Sequence, residues 1–137
     1  MKLVDAIKIY SAVKGIVEDD FNVDVTLKYK LLGVVRAISP AIEDFENLRN
    51  EYFIQNGEQL EDGSIVIKKP KEEDFDNEDS YNDALKEYDR KIEYIKKQTD
   101  KLLNSDVSIN IPKLKKDEVF NCGISVERLS ELYEIIE

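Results

Sequence analysis

With 137 residues, a net charge of -10, no histidine and one cysteine, the chain is predicted to form a single domain over residues 1–137 with a real hydrophobic core. This composition excludes an intramolecular disulfide and the common histidine- or cysteine-based metal centres. The acidic balance opposes direct nucleic-acid binding, which depends on lysine and arginine, and apolar runs such as residues 31–35 are too short to cross a bilayer.

The opening stretch, MKLVDAIKIY, has no continuous apolar segment and no small-residue cleavage site, which predicts a cytoplasmic product. Leu3, Ala6, Ile7, Tyr10, Val13 and Val17 recur at helical spacing and predict a short amphipathic helix ending near Gly15 or in the acidic turn 18–20.

A long helix follows over about residues 25–56. Leu27, Leu31, Val34, Ile38, Ala41, Phe45, Leu48 and Tyr52 alternate in steps of four and three, the spacing of a continuous seam. Pro40 lies inside that seam and removes one backbone hydrogen bond, so a bend or split after Ile38 is expected. Ser39 is then available as a cap for a second, collinear helix.

Residues 57–79 are predicted to be turn and loop. Asp62-Gly63, flanked by short extended stretches in which Ile65 and Ile67 alternate, signals a two-residue β-hairpin. The segment KEEDFDNED, residues 71–79, carries Glu72, Glu73, Asp74, Asp76, Glu78 and Asp79 against one lysine. Self-repulsion predicts an open, solvated loop, and the same charge density could dock a basic partner or imitate a nucleic-acid backbone. It lacks the ligand spacing and central glycine of a calcium loop.

The second long helix is placed at about residues 80–104, with Ser80 and Asp83 approximating a capping box. Its seam, Tyr81, Leu85, Tyr88, Ile92, Ile95, Thr99 and Leu102, matches the first in spacing, so the two helices are expected to form an antiparallel hairpin in which each covers the other. Val35, Ile42, Phe53, Ile54, Tyr94 and Leu103 lie beside these seams and widen the apolar band, which favours a homo-oligomer.

At residues 106–111 the period changes to two. Val107, Ile109 and Ile111 predict a strand, with residues 22–26 as the expected pairing edge near the base of the hairpin. A last helix is predicted over about 125–136, capped by Ser125, stapled by Ile124 and Leu129, and facing inward through Val126, Leu129, Leu132, Tyr133 and Ile136. Cys122 reads as a small buried residue rather than a nucleophile, because the base such a nucleophile uses is missing. The fold class is therefore mainly α (α+β): a long antiparallel helical hairpin with short terminal helices and a small β element.

Taken in this order, the early "AIKIYSAV", the helix "LKYKLLGVVRAISPAIEDFENLRNEYF", a glycine-containing turn and the closing "LLNSDVSINIPKLKKDEV" and "ISVERLSELYEII" resemble a family of small tailed-phage and prophage proteins of unknown function. The resemblance covers most of the chain and consists of apolar and charged patterning. The chain departs from it in the acidic insert at 70–80 and in Pro40. It implies a phage product in the cytoplasm of an infected bacterium, or in the virion, and assigns no functional residue.

No enzymatic activity is expected. Without histidine there is no near-neutral general base, and no glycine-rich phosphate loop follows a strand. No catalytic, cofactor-binding or metal residue is predicted. The expectation is a small phage protein acting through a protein partner, as a virion or assembly component; the alternative is an acidic inhibitor or decoy of a host defence or nucleic-acid-binding protein.

Overall fold

The computed structural model describes residues 1–19, 23–120 and 124–137. The prediction for Cys122, the end of the turn at Asp20 and the first residue of the expected pairing edge, Asn22, fall outside them. The chain is mainly helical with a small β element. Helices α1 (Leu3–Asp19) and α2 (Val25–Asn56) are followed by strands β1 (Glu58–Gln59) and β2 (Ile65–Val66) and a 3-10 turn at Glu72–Asp74. Helix α3 (Glu78–Leu103), two short helices, α4 (Lys116–Phe120) and α5 (Val126–Glu131), and a 3-10 turn at Tyr133–Ile135 complete the order. The described residues divide into two compact units, one formed by Met1–Glu43 and Leu103–Glu137, the other by Asp44–Leu102.

The first unit holds the main core. Ala6, Ile9, Val13 and Ile16 of α1 pack with Leu27, Leu31, Val34 and Ile38 of α2 and with Leu114, Val119, Leu132 and Ile135 of the C-terminal segment. The first half of the α2 seam is thus covered by α1 and the chain's last residues. The terminal segments were expected to pack on the base of the hairpin, and they cover this half of the seam, which had been assigned to the second long helix. Val35 and Ile42, which were expected to widen the apolar band in part beneath the terminal helices, pack against this same core.

Helix α2 begins on Asp24, whose side chain accepts from the Thr26 amide at 3.1 Å, and whose carbonyl accepts from Lys28 at 3.0 Å. That cap commits residues 24–26 to a helix start and removes them as a pairing edge. The late extended segment pairs elsewhere. Lys2 and Asp106 form an antiparallel bridge, Leu3 donates to the Ser105 carbonyl at 2.9 Å, and Val107 donates to the Met1 carbonyl at 2.9 Å. No strand is formed at 107–111. Even so, Val107, Ile109 and Ile111 turn inward against the core while Ser108 and Asn110 are exposed, as a two-residue period demands.

The chain's end is anchored by a second bridge. Leu114 donates to the Ile135 carbonyl at 2.7 Å and accepts from Glu137 at 2.8 Å. Ser125 caps α5 by accepting from the Arg128 amide. The helix is shorter than expected and gives way to the 3-10 turn at Tyr133–Ile135, in which side chains three apart eclipse. Leu129, Leu132 and Ile135 consequently form the inward row. Val126 and Tyr133, expected to face inward, are 82% and 77% exposed.

In the second unit, the last turns of α2 and helix α3 are the arms of an antiparallel helical hairpin. Pro40 does not split α2, which is helical through both units. Beside it, the Ser39 hydroxyl donates to the Val35 carbonyl at 2.7 Å. Helix α3 starts on Asn77 rather than Ser80: the Asn77 side chain accepts from the Ser80 amide at 2.8 Å, and its carbonyl accepts from Tyr81. Asparagine outranks serine here because its carbonyl oxygen reaches the third amide while Ser80 lies inside the first turn.

Strands β1 and β2 pair antiparallel, with Glu58 opposite Val66 and Gln59 opposite Ile65. The connection is a three-residue loop, not the expected two-residue turn. Leu60 donates to Ser64 at 2.7 Å, Gly63 donates to Leu60 at 3.0 Å, and Gly63 takes a φ of +87°. That left-handed glycine is what closes a turn of this length. Asp62 stabilises it by accepting from both the amide and the hydroxyl of Ser64, and these bonds hold its carboxyl below the usual range.

Candidate functional site

Burial differs sharply between the two units. In Asp44–Leu102 only Phe45 and Ile95 are buried, while Leu48, Ile54, Ile92 and Tyr94 remain exposed. The end of α2 and the β-hairpin line an open surface hollow of about 600 Å³, formed by Arg49, Asn50, Phe53, Ile54, Gly63 and Ile65. Its floor is apolar, with Ile54 at 58% exposure, and Arg49 and Asn50 supply donors at its edge. The Arg49 guanidinium lies 5.4 Å from the centre of the Phe45 ring, which restricts the side chain and fixes a positive charge beside the apolar floor.

Several sequence features fix this hollow locally. Asn56 donates to the Tyr52 carbonyl at 2.8 Å and closes the last turn of α2. Gly57 then admits β2: a Cβ at that position would stand 2.7 Å from Ile65 Cγ2, 2.8 Å from the Phe53 carbonyl oxygen and 2.9 Å from the Val66 carbonyl oxygen. The heptad seam and the glycine turn were both legible in the sequence. The hollow was not, because it depends on the close approach of β2 to Gly57.

The acidic segment is more ordered than its charge predicts. Glu72, Glu73 and Asp74 form the 3-10 turn, Phe75 is half-buried and meets the Tyr81 ring at 5.8 Å, and Glu78 and Asp79 occupy the first turn of α3. The last two are favoured there by the positive end of the helix dipole. All six acids are exposed, and none forms a salt bridge among the described residues.

In the first unit, a cleft of about 680 Å³ lies along α1 and α5, lined by Asp5, Lys8, Ser11, Arg128, Glu131 and Glu134 over Ile9, Ala12 and Gly15. Arg128 is 3.5 Å from Asp19. Both positive and negative groups line it, so the cleft selects no ligand charge. The Val107–Ile111 segment, the predicted strand, gives its apolar side chains to the core and its Val107 amide to Met1. Among the described residues no cluster of acidic or cysteine side chains could hold a metal ion, and no helix is long and apolar enough to cross a membrane. Comparison with protein-family models, with curated proteins and with solved structures finds no match to this chain.

Proposed function

We propose that the chain is a small non-enzymatic bacteriophage protein that acts through a protein partner, such as a virion or assembly component. The observation that carries this reading is the hollow at the end of α2, where Phe53, Ile54 and Ile65 form an apolar floor beside Arg49. Apolar side chains ringed by a cation and an amide are the composition of a protein-docking surface, in which a buried apolar anchor supplies affinity and the rim sets orientation. The phage assignment rests on the sequence resemblance alone.

A decoy or inhibitor of a basic host protein is the second reading. It is favoured by the six exposed acids of residues 72–79, which a locally ordered turn presents without salt-bridge partners. Capture from infected cells separates the two. A virion protein lost on Ile54→Asp but retained after neutralising the six acids supports assembly. A basic host factor with the opposite sensitivity supports the decoy, and capture of nothing by the unmodified protein defeats both.

A further inference from the structure

Helix α3 carries a second seam besides the one it turns inward. Asp83, Glu87, Arg90, Tyr94, Lys97 and Lys101 are spaced 4, 3, 4, 3, 4, so they line one face of the helix, and all six are exposed. The order of chemistry along that face is acid, acid, arginine, tyrosine, lysine, lysine. Read backwards from its midpoint at Ile92, its four outer positions match themselves with opposite sign. An identical helix laid antiparallel places Asp83 opposite Lys101, Glu87 opposite Lys97, and Arg90 opposite Tyr94.

The helix dipole accounts for acids and bases in the first and last turns, Glu78, Asp79 and Lys101, but its effect fades within a turn. It does not account for Asp83, Glu87 or Lys97. Within the helix, Arg90 donates to Glu87 at 3.0 Å, a bond that holds the Glu87 carboxyl below its usual range.

We propose that this face of α3 binds a second copy of the chain, forming an antiparallel, two-fold symmetric dimer. A two-fold interface must be complementary to itself, and the four outer positions of this seam, Asp83, Glu87, Lys97 and Lys101, meet that condition by charge. Exposed ion pairs contribute little each, so the dimer is weak and salt-sensitive. The inference deepens the reading of this protein as an interaction module by naming one partner, and it occupies a different face from the hollow at Ile54.

Sedimentation equilibrium of Glu87→Lys, Lys97→Glu and their equimolar mixture provides the test, with circular dichroism to confirm that helicity is kept. Each variant alone sets like charges opposite one another twice and is expected to weaken the dimer at least about tenfold. The mixture restores both pairs across the interface and regains wild-type association. Raising the salt weakens the wild-type dimer and the mixed one alike. A wild type that stays monomeric at high concentration, variants that dimerise as well as the wild type, or a mixture no better than its components would overturn the proposal. Wild-type protein that is monomeric yet still captures a phage protein through Ile54 would defeat this inference while leaving the functional reading intact.

Discussion

Tyr52 of α2 meets Tyr94 of α3 edge to face, with ring centroids 6.1 Å apart and planes at 88°. This contact joins the two arms of the helical hairpin in a unit where Phe45 and Ile95 are the buried side chains. Edge-to-face aromatic pairs contribute about 0.5–1.5 kcal/mol beyond the area they bury. Tyr52→Leu is therefore expected to destabilise the hairpin by about 1 kcal/mol, read as a lower denaturant midpoint with an unchanged slope.

Pro40 interrupts the hydrogen-bond ladder of a helix that nonetheless continues through it. Proline in a helix interior costs about 3 kcal/mol relative to alanine when nothing compensates. Pro40→Ala is expected to raise stability by about 1–3 kcal/mol in chemical denaturation. An unchanged or lowered midpoint would show that the proline is accommodated without cost.

Gly57 is the point where β2 passes closest to the end of α2. Two of the three atoms that an added Cβ would strike belong to the backbone, at 2.8 and 2.9 Å, so the chain and not a flexible side chain must give way. Gly57→Ala is expected to cost about 1–3 kcal/mol. The loss should appear as faster amide exchange at Glu58, Gln59, Ile65 and Val66, the paired strands.

The ion pair between Lys30 of α2 and Glu118 of α4 sets a pH dependence. The hydrogen bond from Lys30 holds the Glu118 carboxyl below its ordinary value. A carboxyl lowered on folding stabilises the protein above its unfolded-state value and loses that contribution as pH falls through the lowered one. Stability should therefore decline through the acid side of the carboxylate range, and Glu118→Gln should flatten that decline. Urea titrations at a series of pH values measure both slopes.

Much of the architecture is legible in the sequence, and the misreadings share a cause. Periodicity located α2 and α3 because it is a local property of the helix face. It did not say what covers that face: Leu27 to Ile38 are buried by α1 and by Leu114, Val119, Leu132 and Ile135, which are distant in sequence. The strand prediction at 106–111 had the correct alternation and the wrong neighbour, since Asp24 caps α2 and Met1 to Leu3 supply the pairing instead. At the C-terminus, the change from a 3.6-residue to a three-residue repeat moved Tyr133 outward and Ile135 inward. The acidic segment was conspicuous as charge, but its turn depends on Phe75 reaching Tyr81. The hollow at Ile54 arises from packing around Gly57 and leaves no separate signal in the order of residues.

Site-specific photocrosslinking in infected cells tests the central claim most directly, with the photoreactive residue placed at Ile54 in one protein and at Glu73 in another. The hollow as docking surface predicts a discrete adduct with a phage-encoded protein from position 54 and none from position 73. An adduct from position 73 alone, or none from either, would contradict it.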